Sequence, residues 1–135
     1  MLKTTIATVG EVRVVAMDSI SYIDDTDQDA VVVSASHGGT SSGEYATRHP
    51  AVMVIFNDAG VGKDQAGIQA LTMLDALNVP AATVAHTSAR IGDASDTWHN
   101  GRVSFVNQAA QGVGVKPGMT VDEAVRAGQR QPNDR

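Results

Sequence analysis

The sequence predicts an α/β fold: one compact domain over residues 1–128, with a mixed sheet, an N-terminal antiparallel hairpin, a β-α-β crossover and helices packed on the sheet. Three observations lead there. Short apolar runs at 30–33, 51–56 and 81–85 read as strands buried on both faces. Helical apolar spacing fills the gap between the second and third runs. Residues 51–85 therefore form a β-α-β unit, with parallel strands and a right-handed connection. Residues 5–17 are rich in Val, Ile and Thr on either side of Gly10, the pattern of a hairpin.

Taken in order, 5–8 and 11–17 are the hairpin strands, and Arg13 indicates one wet face. Residues 19–23 extend the sheet or lead into an acidic turn of Asp24, Asp25, Asp27 and Asp29. That turn lacks the glycine and terminal glutamate of an EF-hand loop, and it reads as solvated. A helical turn fits 43–49, before Pro50. Asp64 opens the clearest helix: Ala66, Ala70, Met73, Leu74 and Leu77 recur near the helical period, and Asn78 and Pro80 end it. Val103, Val106 and Ala110 have helical spacing, which predicts a helix over 102–111. Thr120-Val121-Asp122-Glu123 is a capping-box pattern that starts a final short helix. Residues 129–135 read as a polar tail.

A formal net charge of −5 argues against a nucleic-acid partner, which calls for a basic patch. The absence of cysteine excludes disulfides, thiolate metal sites and cysteine nucleophiles. A cytoplasmic protein is the simplest fit. The N-terminus shows no apolar core of a signal peptide, and no apolar run approaches the ~18 residues of a membrane helix, so no membrane partner is expected. Aromatic side chains are scarce (Tyr22, Tyr45, Phe56, Trp98 and Phe105), so Val, Ile, Leu, Met and Ala must build the core. A small core favours a homo-oligomer.

Chemistry concentrates where each buried run ends in a polar, glycine-marked turn. The turns are Ser34–Gly39, Asn57–Asp64 and His86–Asp93. In open α/β sheets, ligands collect beyond the carboxyl ends of the strands. His37 suits a general base, with the Gly38 and Gly39 amides as oxyanion donors. The other reading makes His37 a cap on a backbone carbonyl. Gly60, Gly62 and Lys63 imitate a phosphate loop, but Asp64 stands where the Walker pattern needs Ser or Thr. Asp64 then reads as a helix N-cap, and Lys63 as an anion binder or a partner of Asp58. Asn57 and Asp93 complete a substrate-binding set with Arg90, which grips carboxylates in two parallel bonds or pairs with Asp93 or Asp96. Ser36 or Ser88 supplies a hydroxyl. Trp98 lines a pocket or a subunit contact. The four histidines show no metal-binding spacing, so no metal and no cofactor is expected. As a lesser reading, His37, His86 and Asp58 from three strand ends could form a metal site.

Asn57-Asp58-Ala59-Gly60, Gly114-Val115-Lys116-Pro117-Gly118-Met119 and Glu123-Ala124 carry a resemblance to the YunC-like family, a domain of unknown function, over residues 57–124. The resemblance implies a compact α/β fold. That family has a cysteine near the start of its central helix, where this chain has Lys63-Asp64-Gln65-Ala66, so no role resting on the cysteine transfers.

These readings converge on a small enzyme acting on a polar, carboxylate- or amide-bearing metabolite, by hydrolysis or related acid/base chemistry. His37 is then the base, Asp58 its orienter or a second acid/base group, Ser36 or Ser88 a hydroxyl contact, and Lys63 and Arg90 the anion binders. The alternative is a non-catalytic metabolite-binding or assembly subunit of a homo- or hetero-oligomer, in which the same turns bind a ligand or pack between chains.

Overall fold

Gly10, at φ 61°, turns the chain between β1 (Lys3–Val9) and β2 (Val12–Met17), which pair antiparallel. β3 (Val31–His37), β4 (Met53–Asn57) and β5 (Ala81–Val84) then run parallel to β2, each beside the strand before it. β6 (Val103–Val106) closes the far edge antiparallel to β5. The computed structural model describes residues 3–129, and within them forms one six-stranded mixed sheet in the order β1-β2-β3-β4-β5-β6.

Strands that follow one another in sequence order, joined by crossovers of one hand, place their connections on one face. That face holds a 3-10 turn at Ile20–Tyr22, α1 (Thr40–Arg48) and α2 (Gln69–Asp75). Ile20, Ala46, Ala70, Leu71 and Leu74 bury there against Met17, Val32, Val54 and Phe56. The opposite face of the same strands carries Val14, Val31, Val33, Ile55 and Val84. It is covered by Val121, Ala124 and Val125 of α5 (Val121–Gly128). Small side chains, Ala16 and Ala35, let Ala94 of α3 (Ala94–Asn100) approach that face closely. The expected β-α-β unit is β4-α2-β5. The expected capping box is present too: Thr120 Oγ1 accepts from Glu123 N–H, and Glu123 Oε1 accepts from Thr120 N–H.

Three local expectations need correction. Residues 102–111 are not one helix but β6 followed by α4 (Gln108–Gly112). The Val103/Val106 spacing suits either state, and the open edge of β5 decides for a strand. Asn107 then ends β6 and caps α4. Asp64 does not cap the central helix. It and Gln65 take left-handed φ of 55° and 59° in a 3-10 segment, and α2 begins five residues later. Of the two readings of residues 19–23, the structure has the second: a 3-10 turn that leads into the acidic turn. The acidic turn is not simply solvated: Asp27 is buried against Lys3 Nζ at 2.8 Å, Asp29 meets Arg13 at 2.9 Å and Asp25 meets His49 at 2.8 Å. Side chains from three distant elements thus hold it. Apart from Gln129, which follows α5, the expected tail over 129–135 lies outside the described residues.

Candidate acid/base site at the carboxyl edge of the sheet

Because β3, β4 and β5 are parallel neighbours, the turns that follow them share one edge of the sheet. The residue after β4 is Asp58, and its N–H bonds Val84 O at 2.9 Å, so it lies against the end of β5. Two residues past β5 stands His86. Asp58 Oδ1 accepts from Gly60 N–H at 2.8 Å, from His86 N–H at 3.1 Å, and lies 3.2 Å from His86 Nδ1. The carboxylate side chain is 6% exposed and the imidazole 55%. A buried carboxylate thus holds a solvent-facing ring. Burial works against the Asp58 charge, but hydrogen bonds from Gly60 N–H, the Ser104 hydroxyl, His86 N–H and the His86 ring outweigh it and hold the carboxyl below the usual range. With Nδ1–H donated to Asp58, the neutral ring presents the Nε2 lone pair outward, the arrangement of an oriented general base.

The loop between Asp58 and α2 shapes this arrangement. Gly60 has φ 77°, and a β-carbon there would sit 3.6 to 3.7 Å from Cε1, Nδ1 and Nε2 of His86, so the bare glycine backs the ring. Ala59 and Val61 also take positive φ, at 52° and 69°, which costs a β-branched residue most. What holds the loop is Gly67: its N–H bonds Val61 O at 2.7 Å, and its bare α-carbon lies against the carbonyls of Asp58 and Val61.

His37 ends β3, and its exposed ring accepts from Gly39 N–H through Nδ1 at 3.2 Å. Asp58 therefore carries His86, not His37. The Gly38 and Gly39 amides are not free oxyanion donors: Gly38 N–H bonds Asn57 O at 3.0 Å, and Gly39 N–H bonds the His37 ring. Asn57 is fully buried, with Nδ2 on Ala89 O at 3.0 Å and Oδ1 on Ala59 N–H at 2.8 Å. Ser36 Oγ accepts from Ile20 N–H at 2.9 Å. Ser88 Oγ donates to Ala85 O at 2.6 Å and accepts from Arg102 N–H at 2.9 Å, tying its turn to β6. Both serines thus fasten backbone.

Asp93 caps α3 by accepting from Asp96 N–H. The Arg90 backbone N–H donates to Asp96 Oδ2 at 2.7 Å. Asp96 sits below its ordinary value through the Asn100 side-chain bond, then the Arg90 N–H. The exposed Arg90 side chain lines two open clefts. One, of about 420 Å³, adds Asp93, Ser95, Asp96, His99 and Asn100; the other, of about 390 Å³, is bounded by Asp18, Ile91, Gly92, Asp93 and Ser95. Lys63 is exposed, and no described carboxylate lies within 4.0 Å of it. Among the described residues no three His, Asp or Glu side chains are grouped to hold a metal ion, and no helix is long and apolar enough to cross a membrane.

Sequence reasoning gave His86 only a place in a metal set. The available signal was positional: an Asp one residue past a buried strand and a His two past the next parallel strand fall on adjacent strand ends. No protein-family model, curated protein or solved structure matches the chain.

Proposed function

We propose that this protein is a small enzyme whose acid/base centre is His86 oriented by Asp58. It acts on a small polar metabolite bearing a carboxylate or amide, by hydrolysis or a related proton-transfer reaction. The observation that carries the reading is the buried carboxylate on Nδ1 of a half-exposed imidazole, with the ring backed by a glycine. His86 takes a proton at Nε2 and returns it, while Asp58 keeps the ring in one tautomer. Arg90 and Lys63 supply positive charge for a substrate carboxylate, and His37, whose Nδ1 is engaged by Gly39, offers Nε2 as a second group. A cytoplasmic homo-oligomer remains part of the proposal, resting on the absence of cysteine and the paucity of aromatics. Kinship with the YunC-like family is a proposal on the residues quoted above, and it adds no activity.

A second reading, a non-catalytic binding or assembly subunit, draws on a specific observation. Ser36, Asn57, Ser88 and Asp93 all bind backbone, and the clefts at Arg90 are open rather than enclosing. A thermal-shift screen with small carboxylates, amides, phosphates and divalent metals separates the two, run on the wild type and on His86→Ala, His37→Ala and Arg90→Ala. A ligand class that raises Tm in the wild type but not in Arg90→Ala, and that is turned over by the wild type but not by His86→Ala, supports the enzyme. Undiminished turnover in His86→Ala refutes it. No shift with any class, together with loss of the oligomer in the variants, supports the assembly role.

A further inference from the structure

Asn100-Gly101 is the one Asn-Gly pair in the chain, and it joins α3 to β6. Such a pair carries a general chemical liability. The glycine nitrogen gives up its proton and attacks Cγ of the asparagine, the Cγ–Nδ2 bond breaks, and ammonia leaves a succinimide behind. Water then opens that ring to aspartate or to isoaspartate. Glycine favours the first step because no side chain hinders the attacking nitrogen. Here the packing keeps the glycine: a β-carbon at Gly101 would sit 2.5 Å from Thr97 O, 2.8 Å from Val84 Cγ1 and 3.2 Å from Val121 Cγ2. Asn100 is exposed on the cleft beside Arg90, so water reaches it.

In the folded chain the last turn of α3 keeps the two reacting groups apart. Asn100 Nδ2 donates to Asp96 Oδ1 at 2.7 Å, which draws the side-chain amide back along the helix and away from the Gly101 nitrogen. Gly101 N–H donates to Thr97 O at 3.0 Å, so the proton that must leave is held. Both bonds close the end of a seven-residue helix, where fraying is easiest. The next residue bears on the site. Arg102 O accepts from Ala85 N–H at 2.8 Å, and Arg102 N–H donates to Ser88 Oγ at 2.9 Å. The turn that carries His86 is therefore fastened, on both sides of the histidine, to the residue after Gly101.

We propose that Asn100 is a modification site: it converts through the succinimide to aspartate and isoaspartate at a rate set by fraying of the last turn of α3, and the change is passed through Arg102 to the His86 turn. Isoaspartate adds the residue's β-carbon to the main chain between α3 and β6, and either product places a second carboxylate beside Asp96. The bearing on function rests on the acid/base reading of His86, but the test does not use turnover. Full-length protein is incubated in mildly alkaline buffer, folded or in urea, and conversion of Asn100 is followed by peptide mass spectrometry, with isoaspartate separated by chromatography. The folded protein converts measurably, and the denatured chain at least about tenfold faster. Folded Asp96→Ala converts several-fold faster than folded wild type, while Asp96→Asn, which keeps an acceptor oxygen, stays near it. In ¹⁵N spectra the converted wild type shows displaced amide signals over 85–88, and Asn100→Gln aged in the same way does not, because its longer side chain cyclises far more slowly. Equal rates in the folded and denatured chains, a folded chain that does not convert, or conversion that leaves the 85–88 signals in place overturns the proposal. If Asp96→Ala does not fold, the wild-type comparison decides alone. Turnover that survives His86→Ala would sink the enzyme reading while leaving the conversion rates and signal shifts intact, so the two failures are distinguishable.

Discussion

Asp58→Asn is the substitution that most directly tests the electrostatic reading of the site. The amide keeps the size of the carboxylate and one acceptor oxygen, so packing is preserved and only the charge goes. In the wild type two backbone N–H groups, from Gly60 and His86, donate to Oδ1. A bond to a charged acceptor contributes about 1.5–3 kcal/mol and one to a neutral acceptor about 0.5–1.5 kcal/mol, so each bond weakens by about 1 kcal/mol and the pair by about 2 kcal/mol. With an unfolding entropy of about 2.1 cal/mol/K per residue over 135 residues, that is a fall in Tm of about 7 °C. The pH dependence carries the sharper signature. The folded-state pKa of Asp58 is lowered, so as pH falls the unfolded chain takes up the proton first. The contribution is whole well above the unfolded value of about 3.9 and drains away as pH falls through it toward the folded value. Urea titrations at pH 7, 5 and 3 should therefore show a gap between wild type and variant that is full at pH 7 and narrows at pH 3. A gap that persists undiminished at pH 3, or no gap at pH 7, refutes the claim that Asp58 is a charged, hydrogen-bond-stabilised group.

Three further substitutions probe the frame around the site. Asn107 donates to Leu71 O and Val79 O and accepts from Ala81 N–H and Ala110 N–H, all at 2.9 to 3.1 Å, so Asn107→Ala should lower the unfolding free energy by about 3–4 kcal/mol in urea; a loss under about 1 kcal/mol would show that water replaces the amide. Ala59 is exposed at φ 52°, so Ala59→Gly should stabilise by about 1 kcal/mol, and a fall in Tm would contradict the left-handed backbone assigned there. Gly67→Ala places a methyl against the Asp58 and Val61 carbonyls, and should cost about 2–3 kcal/mol and move the His86 ring signals; unchanged ring signals would detach this glycine from the site.

The fold was legible where one signal dominated. Buried apolar runs name β3, β4 and β5 because a strand covered on both faces has no alternative polar pattern to imitate, and the 64–77 spacing names the helix between β4 and β5. Legibility failed where two periods coincide. Val103, Val106 and Ala110 have helical spacing, and only the unpaired edge of β5, a tertiary fact, selects a strand over the first two. The start of α2 failed for a related reason. Asp64 has the chemistry of an N-cap, but Gly67 packs so closely on the Asp58 and Val61 carbonyls that the chain needs a left-handed detour before a helix can begin. Nothing local to 63–66 announces that contact.

The site divided along the same line. That the turns share an edge followed from the β-α-β pattern, since parallel neighbouring strands put their carboxyl ends side by side. Which histidine meets the carboxylate did not follow, because residue type cannot rank His37 against His86. Register can. Asn57 of β4 faces His37 on one side and Val84 of β5 on the other, so Asp58, one residue on, has a strand end on each flank. His37 is already opposite Asn57 and folds its ring back onto Gly39 N–H, whereas the chain after Val84 continues to His86, whose own N–H reaches the Asp58 carboxylate and brings its ring along. A histidine that donates both its backbone and its ring to one carboxylate is anchored twice and loses less freedom per bond than a ring held at its tip. That double anchorage, with a glycine behind the ring, is why the proposed acid/base role goes to His86. It also makes His86→Gln informative: the backbone bond survives while the ring is lost, so ligand-dependent proton transfer should vanish with a stability loss smaller than that of Asp58→Asn.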